Sequence, residues 1–199
     1  MQYTTTYQSP LGKILLAADE IGITGLWFED QKYFAWKLDS NHQEKEISVL
    51  KEAERWLDIY FSGKEPDFMP PLHIIGTEFQ KDVWKILRTI PYGKTTTYGK
   101  IAEQIAKNRG IKRMSSQAVG GAVGHNEISI IIPCHRVVGT NGSLTGYAGG
   151  IDKKIQLLKL EKADSKNFFI PKHNAMKKRI WNCKKKSACV INHSKVEFL

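Results

Sequence analysis

The sequence predicts an α+β protein in which a small mixed α/β part precedes a mainly helical part. Residues 1–75 carry 7 Lys and Arg against 12 Asp and Glu, whereas residues 76–165 carry 14 against 7. Near the same point, short strand-like segments give way to a run of short amphipathic helices. We therefore expect two domains, 1–75 and 76–165. A basic tail over 166–199 lacks periodicity, and we expect it to be poorly ordered.

The first part reads as strands followed by a helix. Apolar segments at 13–20 and 22–29 predict two strands joined by a tight turn, and residues 3–7 could add a third. Apolar residues at three- and four-residue spacings predict a helix over 47–61, which Gly63 ends. Nothing in this part has a catalytic pattern, so its aromatic side chains are expected to fill the core.

Short helices are predicted to follow in the second part. Thr77 and Gln80 have the spacing of a capping box in front of an apolar face. A second amphipathic helix follows the threonine-rich turn 91–99, and a third begins at Ser115 or Ser116. Two such helices joined by a basic loop resemble a helix–turn–helix, although short helical pairs are common in proteins.

Two adjacent glycines interrupt the third of these helices. Gly120 and Gly121 each cost about 1 kcal/mol relative to alanine, but a residue without a Cβ lets another backbone approach closely. Close packing of a second helix and close approach of DNA would each explain them. The net charge of +7 over 76–165 suggests a polyanionic partner, and a solvated lysine-rich surface explains it equally well.

A cysteine followed by a histidine and an arginine is the strongest chemical signal. The apolar run 128–132 predicts a buried strand that Pro133 ends, and Cys134, His135 and Arg136 follow. A thiol becomes a strong nucleophile when it is ionised, and neighbouring positive charge or a base lowers its pKa. Adjacent side chains of an extended chain face opposite ways, so His135 would act through a bridging water unless Pro133 introduces a turn.

The imidazole of such a site needs a third group that orients it and holds its charge. Glu161 is the candidate, because it lies in the otherwise apolar segment 157–161 of a last helix. Asp152 is expected to cap that helix, and the loop 139–150 before it contains five glycines and Tyr147.

These motifs occur in the order found in the methylated-DNA–protein-cysteine methyltransferases, also called O6-alkylguanine-DNA alkyltransferases, and the chain resembles that family. The resemblance covers about residues 1–170 and is strongest from 79 to 161. It implies a ribonuclease-H-like α/β domain followed by a winged helix–turn–helix domain, with helix 115–124 inserted in the minor groove. The motifs that carry it are Pro133-Cys134-His135-Arg136 with Val137-Val138, AVGGA at 118–122, Asn126, TGYAGG at 145–150 and LLKLE at 157–161.

The resemblance also implies a role for individual residues. Cys134 would be the nucleophile and methyl acceptor, and His135, Glu161 and a water would relay its proton away. Asn126 would brace the active-site turn. Tyr98 would press on the target phosphate and help to rotate the nucleotide outward. Further contacts with the DNA or the base would come from Gln117, Ala118, Gly121, Arg136, Val137, Tyr147 and Gly149.

The implied activity is DNA repair by irreversible, single-turnover transfer of a methyl or alkyl group from O6-alkylguanine to Cys134. O4-alkylthymine is a second candidate lesion. The damaged base is hidden in the duplex and would be flipped out at a cost of a few kcal/mol. The partner would be double-stranded DNA carrying alkylated guanine, and the protein would act as a monomer without cofactor or metal.

Two positions depart from the family pattern. Gln117 stands where much of the family has an arginine that fills the gap left by the flipped base, so we expect a weaker plug with activity retained. Glu127 replaces a common proline, and its carboxylate is expected to oppose DNA mildly or to loosen the turn.

In the tail, Cys183, Cys189 and His193 do not have a standard zinc spacing.

Composition excludes some classes and leaves two alternatives open. No apolar run approaches the ~18 residues of a membrane span, no signal-peptide pattern is present, and three cysteines fit a cytoplasmic protein. A cysteine hydrolase would use Cys134 and His135 for acyl transfer over many turnovers, but no distinct signal for an oxyanion hole is present. A non-enzymatic DNA-binding protein would not depend on Cys134.

Overall fold

The N-terminal part is a four-stranded sheet covered by one helix. The structure is a computed structural model and describes residues 1–171. The strand order is β3-β2-β1-β4; β1–β2 and β2–β3 pair antiparallel, and the short β4 pairs parallel with β1. The three predicted strands and the predicted helix are confirmed. Their bounds are β1 (Gln2–Ser9), β2 (Gly12–Ala18), β3 (Ile23–Phe28), β4 (His42–Glu44) and α1 (Ser48–Phe61).

The C-terminal part is mainly helical, as predicted. Its elements are α2 (Glu78–Leu87), β5 (Thr96–Thr97), α3 (Tyr98–Arg109), α4 (Ser116–Gly124), a 3₁₀ turn (Cys134–Arg136), β6 (Val137–Val138) and α5 (Ile151–Leu160). The capping box of Thr77 and Gln80 is confirmed, and Ser115 rather than Ser116 caps α4. The parallel pair β5–β6 was not predicted, because strands of two residues have no periodicity to read.

The start of α5 differs from the expectation. Gly150, with φ 90°, precedes the helix, and no side chain caps it. Asp152 lies inside the first turn instead of at the cap position, where its charge still suits the positive end of the helix dipole. A glycine fits this place because a φ of 90° is strained for other residues.

The predicted strand over 128–132 is wrong. The backbone folds into a tight turn in which the Ile131 amide donates to Ser129 and the Ile132 amide to Ile128, and Ile130 has a φ of 70°. Within the described chain, Ile128 forms a single parallel bridge with Leu26 of β3. A buried apolar run identifies buried backbone without identifying its conformation.

The two parts share one hydrophobic core. β3 lies beside the segment that leads into the turn: the Leu26 amide donates to the Glu127 carbonyl at 2.8 Å, and the Ser129 amide to the Leu26 carbonyl at 3.0 Å. The buried cluster runs without a break from Leu16 in the sheet to Trp84 in α2. The sheet therefore supports the active-site turn directly.

Glu127 tightens this junction, contrary to the expectation that its carboxylate would loosen the turn or face DNA. It is 5% exposed, and its Oε2 accepts a hydrogen bond from Trp27 Nε1 at 2.8 Å. Burial raises the pKa of Glu127, and the hydrogen bond from Trp27 offsets part of that rise.

Most of the predicted tail, with Cys183, Cys189 and His193, lies outside the described residues. Its first residues pack against the loop before α5: the Leu144 amide donates to the Phe169 carbonyl at 2.8 Å, and Phe168 contacts the small apolar cluster around Leu144 and Leu158. None of the helices in residues 1–171 has the length and apolar character to cross a membrane.

Replacing Glu127 tests the contribution of the Trp27 hydrogen bond to stability. Glu127→Ala should lower the free energy of unfolding by about 1–3 kcal/mol, because it leaves the buried indole N–H without an acceptor. Glu127→Gln keeps an acceptor oxygen and removes a carboxylate whose burial is unfavourable, so it should lose much less. Chemical denaturation followed by tryptophan fluorescence measures both. Equal losses in the two variants would mean that this hydrogen bond does not stabilise the junction.

Candidate active site

Cys134 opens a 3₁₀ turn at the centre of the molecule. Pro133, with φ −81° and ψ 63°, starts the turn, and the Arg136 amide donates back to its carbonyl at 3.0 Å. The chain is therefore not extended here, which removes the expected obstacle to Cys134 and His135 acting together. The Cys134 side chain is buried, and its residue is 2% exposed.

Asn126 forms hydrogen bonds with backbone groups on both sides of the turn 128–132. Its Oδ1 accepts from the Ile128 amide at 3.1 Å, and its Nδ2 donates to the Ile132 carbonyl at 2.8 Å. The same Nδ2 lies 3.1 Å from the Sγ of Cys134. One amide side chain thus replaces the strand hydrogen bonds that this apolar segment lacks and also fixes the sulfur.

Cys134 is a thiol in the free protein. Burial raises its pKa above the ordinary value, and this effect outweighs the hydrogen bond from Asn126 and the positive charge of Lys154, which lower it. The net direction is therefore opposite to the lowering of the thiol pKa that neighbouring positive charge alone would cause. The sulfur becomes a strong nucleophile only when a base removes its proton.

Glu161 receives hydrogen bonds from four residues. Its Oε1 accepts from His135 Nε2 at 2.6 Å, Tyr60 Oη at 2.7 Å and Arg136 Nη2 at 3.0 Å. Its Oε2 accepts from Arg136 Nε at 2.8 Å and from the Gly93 amide at 3.1 Å. Burial alone would raise the pKa of this carboxyl, but His135 and Arg136 bring it down to about 2. Glu161 is therefore ionised at neutral pH.

His135 is a neutral base with its free nitrogen away from Glu161. It is fully buried, and burial lowers its pKa although Glu161 acts in the opposite direction. Because the ionised carboxylate accepts from Nε2, the neutral imidazole carries its proton there and has its lone pair on Nδ1. Nδ1 is buried and has no hydrogen-bond partner among residues 1–171. The imidazole can accept a proton at that atom.

Arg136 faces inward, and this corrects its expected contact with DNA. Its guanidinium binds both oxygens of Glu161, and its Nη1 donates to the Ile90 carbonyl at 2.6 Å. The side chain is 11% exposed. A planar guanidinium with several fixed donors suits this two-oxygen contact better than a lysine would. Arg136 holds the carboxylate of Glu161.

Gly93, which the sequence analysis did not single out, allows the turn before β5 to approach Glu161. Its φ is 69°, and a Cβ at this position would lie 2.6 Å from the Glu161 carbonyl oxygen. A larger residue would push the turn away and lose the amide donor. A glycine in the turn 91–99 is a sequence signal for a positive φ, but the sequence does not show that Gly93 contacts Glu161.

Lys154 is a second residue that the sequence did not reveal. It is fully buried in α5, and its Nζ donates to the carbonyls of Val137 and Thr145. Burial lowers its pKa to about 8, and the charge of Cys134 partly offsets this. Its place three residues before Leu157 on the buried face was the only available signal. Through these two hydrogen bonds, the ammonium group of Lys154 connects β6 with the loop 139–150.

A cleft of about 620 Å³ lies next to this site, because its wall includes Tyr147, whose ring is edge-on to the His135 ring at 6.4 Å. Cys134, His135 and Glu161 do not line it. α4 forms one side through Gln117 and Gly121, and Tyr98 and Tyr147 contribute aromatic walls. Burial, and next the charge of Cys134, raise the pKa of Tyr98 to about 12, and the same two causes raise that of Tyr147. Cys134 and Tyr147 belong to one buried cluster, and Tyr98 packs against it.

Besides Arg136, three residues expected to contact the DNA or base do not line this cleft. Ala118 is exposed on α4, whereas Val137 is buried with its carbonyl bound by Lys154. Gly149 is buried, and a Cβ there would lie 2.8 Å from the Tyr147 ring and 3.1 Å from Phe28. Its lack of a side chain serves packing.

The glycines of α4 have a different explanation. Among residues 1–171, a Cβ at Gly121 would meet no atom within 4 Å, and one at Gly120 would make only ordinary contact with Tyr98 at 3.8 Å. Close packing within this part of the chain therefore does not require Gly121. The open surface leaves room for a partner beside the cleft.

Comparison with protein families matches nearly all of the described chain. The family model described as "6-O-methylguanine DNA methyltransferase, ribonuclease-like domain" matches residues 2–74. The model described as "6-O-methylguanine DNA methyltransferase, DNA binding domain" matches residues 78–163.

Similar proteins carry the corresponding name. The methylated-DNA–protein-cysteine methyltransferase of Methanosarcina acetivorans is 47% identical over 159 residues, covering 80% of this chain and 97% of the relative. The structure of Mycobacterium tuberculosis OGT in complex with DNA has a TM-score of 0.69 and 42% identity, covering 80% of this chain and 92% of that one. An O6-methylguanine DNA methyltransferase from Methanococcus jannaschii has a TM-score of 0.55 and 31% identity, covering 84% and 98%.

These likenesses confirm the α+β fold class of a small sheet domain followed by a helical domain. They also agree with the geometry of the site, in which a buried cysteine adjoins an imidazole–carboxylate pair. The chain belongs to the methylated-DNA–protein-cysteine methyltransferase family.

Proposed function

We propose that this protein repairs DNA by moving the alkyl group of O6-alkylguanine onto Cys134. The observation that carries the proposal is the buried pair His135–Glu161, with Nε2 and Oε1 2.6 Å apart, beside a thiol that needs a base. The relative whose structure is described as a complex with DNA supports DNA as the partner.

Proton transfer comes first in the proposed mechanism. A water bridges Cys134 and Nδ1 of His135 and carries the thiol proton to the imidazole. Glu161 then stabilises the imidazolium, because it is already ionised and bound to Nε2. A positioned base of this kind typically contributes 10²- to 10⁴-fold to a rate.

Alkyl transfer follows. The Sγ electron pair forms a bond to the alkyl carbon while the bond from that carbon to guanine O6 breaks. The leaving guanine keeps the electron pair of the broken bond and takes up one proton, which balances the proton lost by the thiol. The thioether on Cys134 is stable and no second base cleaves it, so each molecule acts once.

The cleft suits a base flipped out through the minor groove. In this proposal the groove wall occupies the open space at Gly121, Tyr98 meets the target phosphate, and Tyr147 stacks beside the base; all three residues line the cleft. O4-alkylthymine presents a similar alkyl ether and is included in the proposal. Because the nucleophile must remain a thiol, we assign the protein to the reducing cytoplasm, where it acts as a monomer.

The methyl acceptor is tested by mass spectrometry after incubation with duplex DNA containing O6-methylguanine. We expect one added methyl group on the Cys134 peptide, with product formed in a 1:1 ratio to protein. Cys134→Ala, the matched control, should bind the same DNA and gain no mass. Folded wild-type protein with an unmodified peptide would refute the repair function.

Repeated turnover on an ester or peptide would instead support a cysteine hydrolase. One contact disfavours that alternative: the Cys134 amide, a usual donor to an oxyanion, already donates to the Ile132 carbonyl at 2.8 Å. Unchanged cellular repair with Cys134→Ala would support a non-enzymatic DNA-binding protein.

Gln117 lines the cleft from the exposed face of α4 and is the residue expected to fill the gap left by the flipped base. Gln117→Arg should bind DNA as tightly or more tightly, with a salt dependence steeper by about one counterion, and should keep methyl transfer. Fluorescence anisotropy at several salt concentrations measures this. Gln156→Arg, an equal charge change on the exposed face of α5, is the control. A large loss of methyl-transfer rate in Gln117→Arg but not in Gln156→Arg would show that Gln117 is not the residue that fills the gap left by the flipped base.

A further inference from the structure

One aromatic side chain of the N-terminal part reaches the relay, although that part was expected to supply only core aromatics. Tyr60, near the end of α1, is fully buried, and its hydroxyl donates to Glu161 Oε1 at 2.7 Å. The same hydroxyl lies 3.4 Å from Nε2 of His135. The sheet domain thus places a proton donor at the oxygen that orients the base.

Ring packing fixes the position of that hydroxyl. The Tyr60 ring stacks on Trp56 with centroids 5.3 Å apart and planes at 10°. It also meets the edges of Phe61 and Tyr92, at centroid distances of 5.4 and 6.0 Å, and lies edge-on to His135 at 6.5 Å. The hydroxyl is therefore held at Glu161 by the surrounding rings as well as by its own hydrogen bond.

We propose that Tyr60 is a positioning residue of the alkyl-transfer reaction, which sets the basicity of His135 by sharing Glu161 Oε1 with it. The proposal rests on the proposed function, since it concerns the same relay. It assigns the N-terminal domain a part in the chemistry as well as in support.

Three donors compete for one oxygen of Glu161. Oε1 accepts from His135, Tyr60 and Arg136, and each donor withdraws negative charge from it. Burial, and then the charge of Glu161, raise the pKa of Tyr60 well above its ordinary value, so the phenol remains a donor at every pH at which the protein works. Without this donor, Oε1 would hold the imidazolium more strongly.

The direction of the pH effect follows. Removing the Tyr60 hydroxyl should raise the pKa of His135, because its charged form gains a stronger partner. His135 accepts the thiol proton only when it is neutral, so the acidic limb of the rate profile should move to higher pH. The titratable and charged groups that bear on His135 are Cys134, Glu161, Arg136, Lys154, Tyr60, Tyr92 and Tyr147.

Tyr60→Phe tests the proposal, with Tyr7→Phe as the matched control. Tyr7 also donates its hydroxyl to a carboxylate at 2.7 Å, but that carboxylate is Asp58 on the exposed side of α1. Single-turnover methyl transfer would be measured from acidic to alkaline pH, with DNA affinity and thermal unfolding measured in parallel. On the acidic limb, the methyl-transfer rate of Tyr60→Phe should be lower than that of the wild type by a factor of about three or more, with unchanged DNA affinity. Tyr7→Phe should follow the wild-type profile.

A Tyr60→Phe profile that coincides with the wild type overturns the proposal, as does an equal shift in Tyr7→Phe. If Tyr60→Phe does not fold, 3-fluorotyrosine at position 60 replaces it. This residue keeps the ring and donates more strongly, so the acidic limb should move to lower pH, and an unmoved limb overturns the proposal. NMR titration of the His135 ring in the free protein measures the pKa of His135 directly and does not depend on methyl transfer. Absence of transfer in the wild type would therefore refute the repair function, while the titration still decides the role of Tyr60.

Discussion

The buried carboxylate of Glu161 is the group on which the rest of the active site depends. A charge inside a protein is costly unless it is paired and its oxygens are hydrogen-bonded. Arg136 supplies the opposite charge, and His135, Tyr60 and Gly93 supply further donors. These residues come from the 3₁₀ turn, α1 and the turn before β5, so one carboxylate at the end of α5 fixes the relative positions of all of them.

The same arrangement explains how a reactive sulfur can be kept inert. Burial holds Cys134 as a thiol, while Asn126 and Lys154 favour the anion without outweighing burial. In the proposed mechanism His135 is the base, and Glu161, which accepts from its Nε2 at 2.6 Å, stabilises the imidazolium after proton transfer. In the proposed mechanism the thiolate forms only when His135 takes the thiol proton, which suits the proposed single turnover.

The sequence predicted those features that depend on residues close together in the chain. The capping box at Thr77 and the site residues Cys134 and Glu161 could be read from spacing, from the resemblance and from a charge in an apolar helix. The buried run 128–132 was recognised, but its turn depends on hydrogen bonds from a side chain outside it. The contact between Tyr60 and Glu161 joins residues 101 positions apart, and no periodicity encodes it.

The site works as proposed only if ionised Glu161 fixes the proton of neutral His135 on Nε2 and leaves Nδ1 as the base. Nitrogen-15 NMR of histidine-labelled protein at neutral pH reports which ring nitrogen carries the proton, with His135→Gln used to assign the signals. We expect a protonated Nε2 and an unprotonated Nδ1 for His135. A proton on Nδ1, in the other tautomer or in a doubly protonated ring, would refute this arrangement.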